Sequence, residues 1–441
     1  MRILGIETSC DETALALIEA RSAASGEVEI RVLSSLVHSQ ADLHSAYGGV
    51  FPSLAKREHG KNLVPLLHKL LTEASSLADS SAPAELASRN GMAPSVRGEE
   101  RLRSKPAISV RSDSPRSIEI SSELAFKALL ESFKAEIAPQ NPELYESFSH
   151  APFLTEMKGS PVDVIAVTEG PGLEPALWVG VNFARMLAAL WNVPIIAADH
   201  MEGHIVGSLV PSDAPTGAWH ALFAAPMPAI ALLISGGHTQ LVHVRALGDY
   251  EIVGETKDDA VGEAFDKAAR LLGLPYPGGP HLSMLAGKAR EAGIAAPVSL
   301  PRPMEHSKDL DFSFSGLKTA VLYATRTAPK DASGTIDEAW KMGLAREFED
   351  AVKETLDGKL RAAIEQIDAR SIIVGGGVSA NHVLRAAFEK TATEYGIPIF
   401  MPSRHISGDN ALMIAVAGAL HSGTHTTASK LKADGTKRLD N

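Results

Sequence analysis

His200-Met201-Glu202-Gly203-His204 is the stretch from which the rest of the chain can be ordered. It follows Pro194-Ile195-Ile196-Ala197-Ala198, an apolar run that reads as a short buried strand, and it leads into Ile205-Val206-Gly207-Ser208-Leu209-Val210. A chain that turns at Asp199 and enters a helix there carries His200 and His204 four residues apart on one helical face, within reach of a single ion. An isolated pair of this kind is more often two satisfied histidines at a helix start than a metal site. A third ligand type, Asp409, occupies an equivalent place in the second half of the chain and favours the metal. A zinc-protease motif needs Glu directly after the first His; Met201 stands there, and Glu202 comes one place late.

The equivalence of Asp409 rests on an internal duplication. In the first half, residues 2–19 read as a hairpin with the polar turn Glu7-Thr8-Ser9-Cys10-Asp11-Glu12-Thr13. The strand Val162–Val167 follows, then the turn Thr168-Glu169-Gly170-Pro171-Gly172 and a helix, then the strand and helix of the histidine pair. In the second half Ile230–Ile234, the turn Ser235-Gly236-Gly237-His238-Thr239 and Gln240–Val244 form the hairpin. Ser371–Val374 runs into Gly375-Gly376-Gly377-Val378-Ser379-Ala380-Asn381 and a helix, and Pro398–Met401 precedes Ser407-Gly408-Asp409-Asn410 and a helix to Leu420. Two related α/β lobes facing each other would bring both glycine turns and both ligand-bearing helices to one cleft. Two His and one carboxylate there suit iron or zinc with open positions. The expected lobes are 1–210, completed by the helix at about 409–421, and 228–408, with a flexible insertion at about 75–160 and a polar, frayed tail at 422–441. Within the insertion, a helix is expected from Ser122 to Ile137.

Bulk properties narrow the class. The chain has 441 residues, 45% of them hydrophobic and 5% aromatic, enough for two or three domains with a sizeable core. A single cysteine, Cys10, excludes intrachain disulfides and any CxxC metal site. The opening residues lack the apolar core of a signal peptide, and the most apolar window, Ala221 to Ile234, is too short to span a bilayer. A cytoplasmic protein without membrane contact is expected. The formal charge of −11 argues against broad, unaided nucleic-acid binding, so an RNA substrate needs a local basic patch or a partner. Lys56, Arg57, His59 and Lys61 form the densest basic cluster of the first part, either a solvated face or a nucleic-acid contact. Three acids close together in the 7–13 turn repel unless a cation or a donor-rich ligand lies nearby. Asp266 can face a ligand or form a surface ion pair with Lys267 or Arg270. Asp311-Phe312-Ser313-Phe314-Ser315 suits an edge strand or cleft loop.

Taken together, these blocks resemble the universal tRNA threonylcarbamoyltransferase family, bacterial, archaeal and eukaryotic. The matching segments are Leu4–Thr13, Tyr47–Val50, Glu169–Leu173, His200–His204, Ser235–Thr239, Gly262–Lys267, Tyr276–Gly279, Asp311–Lys318, Gly375–Asn381 and Asp409-Asn410, in family order over almost the whole chain outside the insertion. The resemblance implies an actin-like, two-lobed ASKHA fold. It implies transfer of threonylcarbamoyl from threonylcarbamoyl-AMP to N6 of the adenosine 3′ of the anticodon, position 37, in tRNAs reading codons that begin with A. It implies His200, His204 and Asp409 as ligands of one divalent metal, Fe(2+) or Zn(2+). Leu233, Ile234, Ser235, Gly236, Gly237, Asp266, Gly279 and Asn381 become adenylate-binding positions, and Asp11 and Glu12 acidic residues near the reacting centre. It also implies an inactive paralogue subunit (TsaB-like) and an ATPase subunit (TsaE-like) as partners. Asp199, Ser407-Gly408 and Ala411 depart from the residues common in bacterial members, and the insertion falls in the lobe that usually meets the paralogue. Rival readings are an ATP-dependent small-molecule kinase of the same fold, which needs no metal triad, a metallopeptidase, and a non-catalytic scaffold.

Overall fold

The structure, a computed structural model, describes residues 1–23, 27–80, 123–157, 159–211, 216–330, 332 and 334–440. The first sheet contains β1 (Arg2–Glu7), β2 (Glu12–Ser22), β3 (Val28–Ser39), β4 (Val164–Gly170), β5 (Ile195–Asp199) and β6 (Trp219–Ala221), in the order β5-β4-β1-β2-β3-β6. The second contains β7 (Ala229–Ile234), β8 (Thr239–Ala246), β9 (Asp249–Glu255), β10 (Ser371–Gly375) and β11 (Ile399–Phe400), in the order β11-β10-β7-β8-β9. Each is an antiparallel meander of three strands whose first member takes a parallel strand on its other edge, and that strand takes a second. Apart from β6 at the edge of the first, the order is the same in both sheets, so the duplication read from the sequence is a duplication of topology. This is a mixed α/β, actin-like ASKHA fold.

The helices are α1 (Ala41–Ser45), α2 (Pro52–Ser80), α3 (Glu123–Gln140), α4 (Pro142–Ser149), α5 (Pro152–Glu156), α6 (Glu174–Trp191), α7 (His200–Gly207), α8 (Val261–Leu271), α9 (Gly278–Glu291), α10 (Ser315–Thr327), α11 (Glu338–Ile367), α12 (His382–Tyr395) and α13 (Ala411–Leu420). On the outer face of the first sheet, Leu4, Ile6, Leu15, Ile165 and Val167 pack against α2, α4 and α6. Helices α8 to α12 cover the corresponding face of the second sheet through residues such as Phe265, Leu282, Phe348 and Phe388.

Two helices fill the space between the sheets. Helix α7 leaves the first sheet, yet Met201, Ile205 and Leu209 pack on Ala231, Leu233 and Ile373 of the second. Helix α13 leaves the second sheet, yet Ala411 to Ala419 pack on Ile3, Ala14, Ile18 and Ala166 of the first. Every residue of α7 is buried, as are nine of the ten in α13, which explains why neither needs a polar face. The approach is close: a Cβ on Gly5 would lie 2.2 Å from the Ala411 carbonyl oxygen, so only glycine permits it.

Two expectations change. The core of the 75–160 insertion, residues 81–122, lies outside the described residues. Its flanks, however, are ordered helix: α2 runs to Ser80, and α3 to α5 bury Leu130, Ile137, Leu144, Phe148 and Leu154 against the first lobe. These few apolar residues dock because α2 and α6 already offer an apolar surface. The tail is not frayed either. Leu431 is only 3% exposed, Lys437 pairs with Glu169, and Arg438 reaches Glu255 of the second sheet at 3.2 Å. Leu431, these charge pairs and backbone hydrogen bonds such as Asp434 N–H to the Glu169 carbonyl (2.7 Å) lay a mostly polar segment along the body.

Candidate active site and metal centre

The two central helices begin at the same place. Asp199 caps α7, accepting from the N–H groups of Met201 (2.8 Å) and Glu202 (3.1 Å); Asn410 caps α13, accepting from Met413 N–H at 3.1 Å. The residues beside the caps therefore meet. Asp409 Oδ1 lies 3.5 Å from His200 Nε2 and 3.2 Å from His204 Nε2, and one ligand atom from each of the three residues falls within 4.8 Å of the others. His204 Nε2 is buried and has no hydrogen-bond partner among the described residues, although the Asp409 oxygen is near. Three ligand-type atoms thus converge on one small space between the two helix starts. Two imidazoles and a carboxylate are a donor set that fits a divalent iron or zinc ion with positions left open.

The imidazole of His200 is aimed from behind. Its Nδ1 lies 3.1 Å from Glu7 Oε2 and 3.2 Å from Ser9 Oγ; Glu7 in turn accepts from Thr168 Oγ1 at 2.6 Å and from Ser9 N–H at 2.5 Å. A carboxylate on Nδ1 leaves Nε2 free as a donor to an ion. Burial alone would lower the pKa of His200, but the charges of Asp409 and Glu7 lift it to about 9. Burial would likewise raise Asp409 and Glu7, yet the facing histidines hold Asp409 well below its ordinary range and His200 holds Glu7 below its own. His238, in the second glycine turn, is pushed down to about 4 by burial and by the charges of His200 and His204.

Asp11 and Glu12 sit at the β1–β2 turn. Burial, then the charges of Asp11 and Asp409, raise Glu12 well above the usual carboxylate range, and Asp11 and Glu12 act electrostatically on Tyr276 of the second lobe. The acidic turn thus lies in the field of both the triad and the second-lobe rim. On that rim, Leu233 and Ile234 end β7, and the turn after it runs from the buried Ser235 to the exposed Gly236 and Gly237. Gly376, at φ +90°, tucks under the turn: a Cβ there would meet the Ile234 carbonyl oxygen at 2.3 Å. Asp266 neither pairs with Lys267, which binds Asp259 (2.7 Å) and Glu263 (2.8 Å), nor stays free; its Oδ1 accepts from Gly278 N–H at 2.7 Å, at the start of α9, and Gly279 N–H also donates to the carboxylate. Asn381 caps α12 and donates to Ser283 Oγ (2.8 Å) and Glu349 Oε1 (2.7 Å). Asp266 and Asn381 therefore shape the rim through backbone and helix ends. Beside them a pocket is lined by Ser45 and Gly48 of the first lobe and Asp266, Arg270, Tyr276 and Gly278 of the second.

Sequence alone does not reveal Glu7 and Ser9 as supports of the candidate metal centre, and the structure corrects the reading of His59. That residue is fully buried, with Nδ1 2.7 Å from Thr13 Oγ1 and Nε2 3.0 Å from the Cys10 carbonyl oxygen, so it cannot touch nucleic acid. Arg57 and Lys61 pair with Glu58. A signal existed: His59 falls on the apolar stripe Ala55-His59-Leu63-Leu67 of α2. Glu202 points away from the triad, accepting from Tyr250 Oη at 2.7 Å and meeting His421 Nε2 at 2.8 Å, which removes it as a peptidase base. Asp311 to Phe314 is a loop held by a bridge of Phe312 to Thr256 and by Asp258, which accepts from Ser313 Oγ (2.6 Å) and Phe314 N–H (2.7 Å), and it leads into α10.

A duplicated actin-like fold with His200, His204 and Asp409 converging between its lobes defines the class, a two-lobed α/β protein with a candidate metal centre. Within it the chain belongs to the tRNA N6-adenosine threonylcarbamoyltransferase family (TsaD), whose sequence model matches residues 31–80 and 153–416. It is 38% identical over 421 residues to the tRNA N6-adenosine threonylcarbamoyltransferase of Chromobacterium violaceum, covering 95% of this chain and 93% of that one. It is 37% identical over 425 residues to that of Burkholderia ambifaria, covering 96% and 93%. Likeness to a solved structure, HypF of T. kodakarensis, is far weaker, with a TM-score of 0.44 and 13% identity over 66% of this chain and 45% of that one.

Proposed function

We propose that the protein transfers the threonylcarbamoyl group of threonylcarbamoyl-AMP to N6 of adenosine 37 in tRNAs reading ANN codons. The observation that carries this reading is the convergence of His200, His204 and Asp409 beside the acidic turn, in a chain of this family. A divalent ion on these ligands, Fe(2+) or Zn(2+), supplies Lewis acidity toward the carbamoyl carbonyl. The chain does the rest. Glu7 fixes the ring of His200. The turn Ser235 to Gly237, with Leu233 and Ile234 behind it, receives the adenylate, and Asp266, Gly279 and Asn381 hold the rim that shapes its pocket. Asp11 or Glu12 accepts the proton released from the adenosine amine, a weak nucleophile. The raised pKa of Glu12 makes its carboxylate a stronger proton acceptor than an ordinary one.

The same reading assigns tRNA as macromolecular substrate, an inactive paralogue and an ATPase as partner subunits, and the cytoplasm as location; no described helix is long and apolar enough to cross a membrane. Mass spectrometry of tRNA nucleosides from cells depleted of this protein tests it. Loss of threonylcarbamoyladenosine is expected, and an unchanged level would exclude the function. A kinase of the same fold is disfavoured because it has no use for the triad; loss of all bound metal on dialysis would revive it.

A further inference from the structure

We infer that His59 is the positioning residue that holds the Asp11-Glu12 turn in its reactive geometry, an assignment that rests on the transferase reading above. Its two ring nitrogens are engaged on either side of the acidic pair. Nε2 faces the Cys10 carbonyl oxygen at 3.0 Å, an atom that can only accept, so Nε2 carries the proton. Nδ1 is then an acceptor, and Thr13 Oγ1 donates to it at 2.7 Å. Residues 10 and 13 bracket the two carboxylates. Gln40 completes the clamp: its backbone N–H donates to the Asp11 carbonyl oxygen at 3.0 Å, and its side-chain Nε2 lies 3.3 Å from His59 Nδ1.

A core role alone does not explain this residue. His59 lies on the buried stripe of α2, where an apolar side chain would fill the space without needing partners. Instead, burial pushes its pKa down to about 4, so the ring stays neutral and keeps one donor and one acceptor at physiological pH. The turn needs such restraint. Glu12 lies in the fields of Asp11, Asp409 and Glu7, and these like charges would drive an untethered turn outward.

Transfer to tRNA is measured for the metal-loaded parent, His59→Leu, His59→Gln and Thr13→Val, each also in an Asp11→Asn/Glu12→Gln background. Thermal midpoints and the KM for the adenylate accompany every variant. His59→Leu is expected to lower kcat by about 10²-fold, the usual effect of a displaced reacting group, with KM unchanged. His59→Gln, whose amide nitrogen can still reach the Cys10 carbonyl, recovers part of the loss. Thr13→Val, which leaves the ring in place, falls in the same direction. In the background without the two acids, none of these changes costs anything further. Additive losses in both backgrounds, or an unchanged kcat in folded Thr13→Val, would overturn the assignment, and the latter decides the matter if His59→Leu does not fold. A parent that does not modify tRNA refutes the function instead. The clamp is then read from imidazole ¹⁵N shifts, where a neutral Nε2–H tautomer, perturbed at Nδ1 in Thr13→Val, is expected and an Nδ1–H tautomer overturns it.

Discussion

Replacing Glu7 with Gln tests whether the triad is a metal centre held from behind. The side chain is fully buried, and both of its oxygens accept: one from Ser9 N–H, the other from Thr168 Oγ1, with His200 Nδ1 at 3.1 Å on the same oxygen. Gln preserves the shape but offers one acceptor and one donor. Either the amide nitrogen opposes Ser9 N–H, or it faces His200 Nδ1 and makes that atom accept. In the second case the ring proton moves to Nε2, the atom directed at the ion. Loss of an outer carboxylate on a ligating histidine costs about 10- to 100-fold in metal affinity, or about 1.4–2.8 kcal/mol. The assay is competition against a chromophoric chelator with Fe(2+) and Zn(2+), with metal content after dialysis as a second readout. A folded Glu7→Gln protein that binds either ion as tightly as the parent would refute the reasoning.

Four further outcomes are expected. Because Asp409 and Glu7 lift His200 to about 9, binding an ion at pH 7 must expel about one proton; affinity then climbs from pH 7 to 9, and calorimetry in buffers of different ionisation heat counts the proton. The same shift stabilises the metal-free protein, with the contribution fully present below pH 6.5 and lost as pH rises through about 9. Asp11→Asn removes a charge that, after burial, raises Glu12, so any acid limb of kcat/KM that reports Glu12 moves to lower pH. Leu431→Ala is expected to cost about 2–5 kcal/mol in denaturant unfolding, as a buried leucine does, whereas a frayed tail would lose almost nothing.

The fold was legible because each half repeats the same alternation of apolar runs, glycine turns and capped helices, and glycine turns are local signals. The triad was legible for the same reason: once the halves are aligned, Asp409 falls opposite the histidine pair. The supports were harder to read. Glu7, Asp11 and Glu12 lie within six residues, and nothing in that spacing says that Glu7 ends a strand with its side chain against His200 of α7 while Glu12 lies in the field of Asp409. His59 was grouped with Lys56 and Arg57 by charge, although its place on the apolar stripe argued for burial. The tail was judged by composition, and Leu431 is a single buried residue in a polar stretch.

The exchange of α7 and α13 between the sheets has a consequence for biosynthesis. The inner face of the first sheet, with Ile3, Ala14, Ile18 and Ala166, is made early, yet its cover, α13, leaves the ribosome only after the entire second sheet. Until then an apolar surface waits open, the state in which nascent chains recruit chaperones or aggregate. Neither half can therefore mature alone, and His200, His204 and Asp409 come together only after the second sheet has been made.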